Sequence, residues 1–257
     1  MREFTASHRV LDCSLAGILR ITIPLILTFL SNSLLYSIDR WMLAGYSLDA
    51  MNAAVLSGTL VCAFTLVPVG IAGVAEIYVG QYNGAQEYHK LAAPTWQMLY
   101  FSGCSILFFL PAAYFSEFLN LLPAYYFQEG VDYQRLLLYF GFLPSVSVSL
   151  SAFFIGQGRA KIVTASVLIG FLVNVVLDYL FIYGYKSYLP SMGVRGAAIA
   201  TILAEMAQVG ALALVFFNKK NRVFHKTFES RQYDRSLFWE CVKIGIPLSV
   251  SNLAVMF

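Results

Sequence analysis

Long apolar runs dominate the chain. Stretches rich in Leu, Ile, Val, Phe, Ala and Gly recur near 17–44, 53–79, 95–116, 133–156, 162–183 and 196–217, separated by shorter polar segments. An α-helix needs about 20 apolar residues to cross roughly 30 Å of hydrocarbon, and every run meets that length. Backbone groups in lipid must be bonded within their own segment, so runs of this length predict helices rather than the alternating strands of a lipid-facing barrel. The pattern predicts an all-α polytopic membrane protein. A six-helix transmembrane bundle occupies 17–217, after a tail at 1–16 and before a basic loop at 218–241. A last apolar stretch, 242–257, reaches only about 24 Å as a helix and reads as a truncated seventh span.

Composition agrees with the pattern. Of 257 residues, 59% are hydrophobic and 12% charged, against roughly 25% charged residues in soluble domains. With a mean hydropathy of +0.69, too few charges remain to make the polar skin of a water-soluble enzyme. The 17 Lys and Arg against 14 Asp and Glu give a nucleic-acid partner no electrostatic support. The partner that composition implies is membrane lipid. Cys13, Cys62, Cys104 and Cys241 are scattered without Cys-x-x-Cys spacing, and His8, His89 and His225 lie far apart. Neither a disulfide framework nor a zinc site is indicated, and no cofactor is expected. The segment 18–35 is too long for a signal-peptide h-region and has no small-residue cleavage site after it.

Basic residues set the expected orientation. With a cytoplasmic N-terminus, thirteen Lys and Arg fall on the inner side and four, Arg40, Arg135, Lys186 and Arg195, on the outer side. The bias predicts a multi-pass protein of the plasma (inner) membrane, N-terminus in. The basic run from Asn218 to Arg235 then reads as a cytoplasmic loop. An internal repeat supports the layout: Leu19-Arg20-Ile21-Thr22-Ile23-Pro24-Leu25 recurs 223 residues later as Val242-Lys243-Ile244-Gly245-Ile246-Pro247-Leu248. Each copy puts a cation at a helix entry and a proline within its first turn or two, as expected of two parallel six-helix repeats. The chain then covers one lobe and the start of the next, and its partner is a second lobe or a second copy of itself.

Ionisable groups inside a membrane are costly, about 2.5 to 3.5 kcal/mol at a helix centre on insertion scales, and mark function. Asp39 in span 1, Asp178 in span 5 and Thr201 in span 6 each lie five residues from the outer end of their run. Asn174 is one turn from Asp178, Glu205 one turn from Thr201, and Asn32 and Tyr36 share a face with Asp39. The arrangement predicts one polar chamber, with Asp39, Asn174, Asp178 and Thr201 as its ion-coupling set. Asn32, Tyr36 and Glu205 are candidates to line the cleft. Two carboxylates in such a chamber repel, which favours capture of a proton or of Na+, with Asp39, Asn174 and Asp178 as the possible Na+ ligands. Gly80 and Gly84 are spaced for close helix packing.

At these residues the chain resembles the multidrug and toxic compound extrusion (MATE) family. The resemblance is carried by Pro24, by Asp39 and Gly45 within Ile38-Asp39-Arg40-Trp41-Met42-Leu43-Ala44-Gly45, and by Gly80-Gln81-Tyr82-Asn83-Gly84-Ala85. Gln157-Gly158, Asn174 to Asp178 and Met192-Gly193-Val194-Arg195-Gly196 through Thr201 complete it. It implies a twelve-helix antiporter of two lobes, exporting small-molecule substrates, organic cations and other amphipathic compounds, in exchange for H+ or Na+. It also implies that Asp39, Asn174 and Asp178 form the ion site. Such a protein is a transporter and not an enzyme. Arg40, where a small polar residue is more usual, departs from the family pattern. Two alternatives stay open: a lipid-linked oligosaccharide flippase of the same superfamily, which wants a cationic cleft, and a non-transporting half-length remnant. An intramembrane aspartyl protease would also need two membrane aspartates, in Tyr-Asp and Gly-x-Gly-Asp settings, whereas here they read Ile38-Asp39 and Leu177-Asp178.

Overall fold

The structure is a computed structural model and describes residues 15–119, 127–185, 188 and 190–256. Most of the expected tail, 1–14, therefore lies outside the described residues. Eleven α-helices follow in order among those described: α1 (Leu15–Tyr46), α2 (Leu48–Gly84), α3 (Ala92–Cys104), α4 (Ile106–Tyr114), α5 (Ser116–Leu119), α6 (Phe127–Tyr139), α7 (Leu143–Ile155), α8 (Ala160–Tyr183), α9 (Gly193–Phe216), α10 (Lys219–Phe224) and α11 (Arg235–Met256).

Among the described residues five helical segments are long and apolar enough to cross a membrane, and a bent pair, 129–139 with 143–155, turning by 42°, makes a sixth if it is one span. The fourth expected run is therefore two helices. Its break falls at Gly141, where a Cβ would stand 2.6 Å from the Phe109 ring, and just before Pro144 at the start of α7. The third run is likewise divided, into α3 and α4.

Short connections fix the order of packing. A single residue, Ser47, joins α1 to α2, and its side chain accepts from Ala50 N at 3.4 Å as an N-cap. Helix α8 packs against α9 and α1, while α2 packs against α7, α6 and α11. Helix α7 runs through the middle, with Ser145, Ser147, Ser149 and Ser151 all buried. Their small side chains allow neighbours to approach on every side and bond locally, Ser149 Oγ to Ser145 O at 2.8 Å, or across helices, Gln208 Nε2 to Ser147 Oγ at 2.8 Å. Near the start of α8, Thr164 Oγ1 donates to Pro24 O at 2.8 Å, tying α8 to α1.

Close backbone approach involves Gly80 of the expected pair, but it is Gly156 at the end of the facing helix that has no room for a side chain. A Cβ at Gly80 or Gly84 would meet nothing within 4 Å, whereas one at Gly156 would stand 2.9 Å from Gly80 N and one at Gly196 2.6 Å from the Phe181 carbonyl carbon. The prolines also sit deeper than expected. Pro24 lies more than two turns inside α1, and Pro247 lies in the middle of α11.

Helix α11 begins at Arg235, seven residues before the apolar run, because Asp234 caps it: Asp234 Oδ1 accepts from Ser236 N at 2.9 Å and Leu237 N at 3.2 Å. The preceding segment is fastened to α3. Trp96 Nε1 donates to Thr227 O at 2.6 Å, Tyr100 OH bonds Arg231 O, and Gln97 grips both a carbonyl, Gln232 O at 3.0 Å, and an amide, Asp234 N at 3.2 Å. Gln97 is fully buried, so Gln97→Ala leaves two backbone groups unpaired at about 1–3 kcal/mol each. The expected outcome is faster limited proteolysis within 218–235 with the helical content of the lobe unchanged by circular dichroism.

Candidate functional site

Three buried polar side chains converge from two helices. Asp39 on α1 is 7% exposed, and Asn174 and Asp178 on α8 are both 0% exposed. Asn174 and Asp178 are one turn apart and so share a face. Asp39 lies seven residues inside the α1 end at Tyr46, Asp178 five inside the α8 end at Tyr183, and Thr201 eight past the α9 start at Gly193. At 1.5 Å per residue their heights agree to within about 5 Å. Just beyond this level Tyr183 OH donates to Met42 O at 2.7 Å and pins α8 to α1.

Five buried polar atoms of this group are without protein partners. Asp39 Oδ1, both side-chain atoms of Asn174 and both carboxyl oxygens of Asp178 make no hydrogen bond. Buried polar groups are almost always paired, and an orphaned carboxylate is costlier still than an orphaned amide. The two carboxyls are near enough to interact electrostatically. A proton or a small hard cation removes their repulsion and satisfies the orphaned oxygens together.

A cavity of about 350 Å³ adjoins Asp39, and Tyr36, Arg40, Tyr133, Thr201 and Glu205 also line it. Thr201 Oγ1 gives its proton to Ala197 O at 2.9 Å, which leaves oxygen lone pairs free to face a cation. Glu205 is half-buried one turn further along α9, and Tyr36 is 59% exposed. Arg40 is exposed and acts on the Asp39 charge. Asn32 is exposed and is not among the cavity-lining residues. Asn174 and Asp178 do not line the cavity either; they lie in the closed packing beside it.

Tyr133 on α6 is a member that the sequence pattern did not reveal. It is 6% exposed and lines the cavity together with Asp39, Tyr36 and Arg40. At the edge of an apolar run a tyrosine reads as an interfacial anchor. It turns inward here because α6 starts at Phe127 and Asp132 is held by Arg195 of α9, whose Nε and Nη2 reach Asp132 Oδ2 at 3.0 and 2.5 Å. Among the described residues no group of three or more His, Cys, Asp or Glu side chains gathers as a metal site. The donors here are two carboxyls and neutral oxygens, a set suited to H+ or Na+ rather than to a tightly held transition metal.

The sequence pattern of the MatE family matches residues 24–180, which include Asp39, Tyr133, Asn174 and Asp178. The chain belongs to the MatE family. A probable multidrug resistance protein NorM of Haemophilus ducreyi is 26% identical over 242 residues, covering 91% of this chain and 51% of that protein. A second such NorM protein, from Thermotoga maritima, is 25% identical over 83% of this chain and 46% of its own length. The MatE chain thus spans about half the length of the curated relatives it matches. A crystal structure of MATE in the straight conformation superposes with a TM-score of 0.81 at 21% identity, over 92% of this chain and 52% of that one. An outward-facing MATE-family multidrug resistance transporter gives 0.78 at 20% identity, over 92% of this chain and 52% of that one. The MatE chain is a multi-pass helical membrane protein with the fold of one half of such a transporter.

Proposed function

We propose that this MatE chain is the N-terminal lobe of a cation-coupled antiporter that exports organic cations or other amphipathic compounds in exchange for H+ or Na+. The observation that carries the reading is the set of orphaned, buried oxygens on Asp39, Asn174 and Asp178, with Thr201 and Tyr133 at its border. Asp39 and Asp178 bind the coupling ion, Asn174 and Thr201 supply neutral oxygens, and Tyr133 closes the cavity wall beside Asp39. Asp39 is both part of the ion site and part of the cavity wall. Ion binding and substrate occupancy therefore compete for one charge, and that competition is the thermodynamic requirement for exchange. The lobe lies in the plasma (inner) membrane with its N-terminus in the cytoplasm, and a second six-helix lobe completes the substrate cleft. A flippase reading would want a cationic cavity, and this one sets Asp39 and Glu205 against Arg40.

Asp39→Asn and Asp178→Asn test the assignment in the two-lobe transporter. Ion-driven efflux of a fluorescent organic cation falls by at least about tenfold in each, the equivalent of 1.4 kcal/mol or more of lost coupling. Unchanged ion dependence in both variants would reject it.

A further inference from the structure

The segment between α9 and α11 carries a charge imbalance that its own contacts leave unresolved. From Asn218 to Arg235 it holds six basic residues, Lys219, Lys220, Arg222, Lys226, Arg231 and Arg235, and two acidic ones, Glu229 and Asp234. Both acids are engaged elsewhere. Glu229 pairs with Lys226 at 3.4 Å and Asp234 caps α11. The next carboxylate, Glu240, bonds Ser236 Oγ at 3.2 Å and Tyr78 OH at 3.4 Å. Among the described residues neither Arg222 nor Arg231 forms an ion pair.

Those two arginines are nevertheless held in place. Their guanidinium carbons stand 4.9 and 4.6 Å from the centroid of one ring, Phe228, which is itself 41% exposed. The backbone beneath is fixed, since Arg231 O and Thr227 O are bonded by Tyr100 and Trp96 of α3. Stacking on a ring orients a guanidinium while leaving its N–H edge free to donate. Two such forks, ordered beforehand and lacking a counter-ion, suit a phosphodiester with its single negative charge and two terminal oxygens. Around them Phe217 (44%), Val223 (75%) and Tyr233 (56%) are exposed apolar or aromatic side chains at the same end of the helices. An apolar rim with a basic centre at the end of a membrane-spanning bundle matches the headgroup region of a lipid leaflet.

We propose that Arg222, Phe228 and Arg231 form a binding site for the headgroup phosphate of an anionic phospholipid in the leaflet bordering this segment. The site is separate from the ion chamber, so it stands or falls independently of the transport reading. Because the segment leads directly into α11 through the Asp234 cap, a bound lipid also braces the connection between the six-helix lobe and the helix that follows it.

The test uses the full chain in nanodiscs of phosphatidylcholine mixed with phosphatidylglycerol, with the lipids that stay bound counted by native mass spectrometry. The wild type retains phosphatidylglycerol preferentially. Arg222→Gln with Arg231→Gln lowers that retention by on the order of tenfold or more, towards the phosphatidylcholine level. Lys219→Gln with Lys220→Gln removes the same charge and leaves retention within about twofold of the wild type. Phe228→Leu, which keeps both cations but not their platform, falls between the two. All four positions changed to Gln are exposed, so unchanged elution on size exclusion is expected and serves as the folding control. Equal loss in the lysine pair, meaning diffuse charge, or full retention in the arginine pair, would overturn the proposal. So would displacement of the lipid by millimolar inorganic phosphate, which would make the occupant a free anion.

Discussion

Asp178→Asn is expected to abolish the gain in thermal stability that the coupling ion gives to the lobe. On the proposed reading, the ion binds the folded chamber of the wild type and has no site in the unfolded chain. At one hundred times its dissociation constant it therefore stabilises by about 2.7 kcal/mol. The oxygens proposed to hold it are the orphaned ones of Asp178 and Asp39. Without the ion, the variant is at least as stable as the wild type, because a buried amide costs less to desolvate than a buried carboxylate. The measurement is the melting midpoint in detergent, on raising Na+ at fixed pH and on lowering pH without Na+. One series raises the wild-type midpoint and so identifies the coupling ion, while Asp178→Asn and Asp39→Asn stay flat. A gain that persists in both variants would remove these carboxyls from the ion site.

Gly196→Val is expected to be the most damaging single change outside the chamber. A Cβ at Gly196 would stand 2.6 Å from both the carbonyl carbon and the oxygen of Phe181, so the obstacle is backbone and cannot rotate aside. Helices α8 and α9 must part there, near the end that carries Asp178 and Thr201. Overpacking of this kind costs about 1–3 kcal/mol or more. The same displacement separates Thr201 from Asp178 and weakens ion binding by at least about tenfold. Gly84→Val, where a Cβ would meet nothing within 4 Å, serves as the comparison. It leaves the midpoint nearly unchanged, since there is room for the side chain and valine is no worse a helix former than the glycine it replaces. Similar losses in the two variants would show that backbone contact at Gly196 is not the cause.

How much of the chamber could be read from residue order depends on which side chain is asked about. Asp39, Asn174 and Asp178 were legible because a membrane penalises such groups so strongly that their presence implies a use, and helical spacing gives their faces and depths. Tyr133 was not legible, since tyrosine is common at membrane boundaries and its inward turn depends on the early start of α6 and the Asp132–Arg195 contact. Asn32 shows the reverse error: its spacing from Asp39 suggests the same face, yet it is exposed because a helix face need not meet a neighbour along its whole length. Glycine spacing misled in a similar way. The regular pair Gly80 and Gly84 has room for a side chain at both positions, and the glycines that do not are Gly156, which approaches Gly80 N, and Gly196, where crossing geometry brings backbones together.

Helix boundaries divided along the same line. Apolar run length located six crossings, but not that the fourth turns by 42°, because a bend comes from a ring pressed on Gly141 and from Pro144 rather than from hydropathy. The last helix began earlier than its apolar run because an Asp234 cap lets polar residues continue a helix into water.

By itself the sequence determined the all-helical membrane class and the acidic residues that must be accounted for. These follow from the transfer cost of each residue into lipid, a property of that residue and its near neighbours in the chain. Only the tertiary structure decided which helices touch, that the two aspartates interact, that Tyr133 joins them, and that two arginines flank one phenylalanine. Those outcomes depend on distances between residues far apart in the chain, about 140 positions for Asp39 and Asp178 and 162 for the bonded pair Tyr78 and Glu240, and such distances are fixed by packing and not by local pattern.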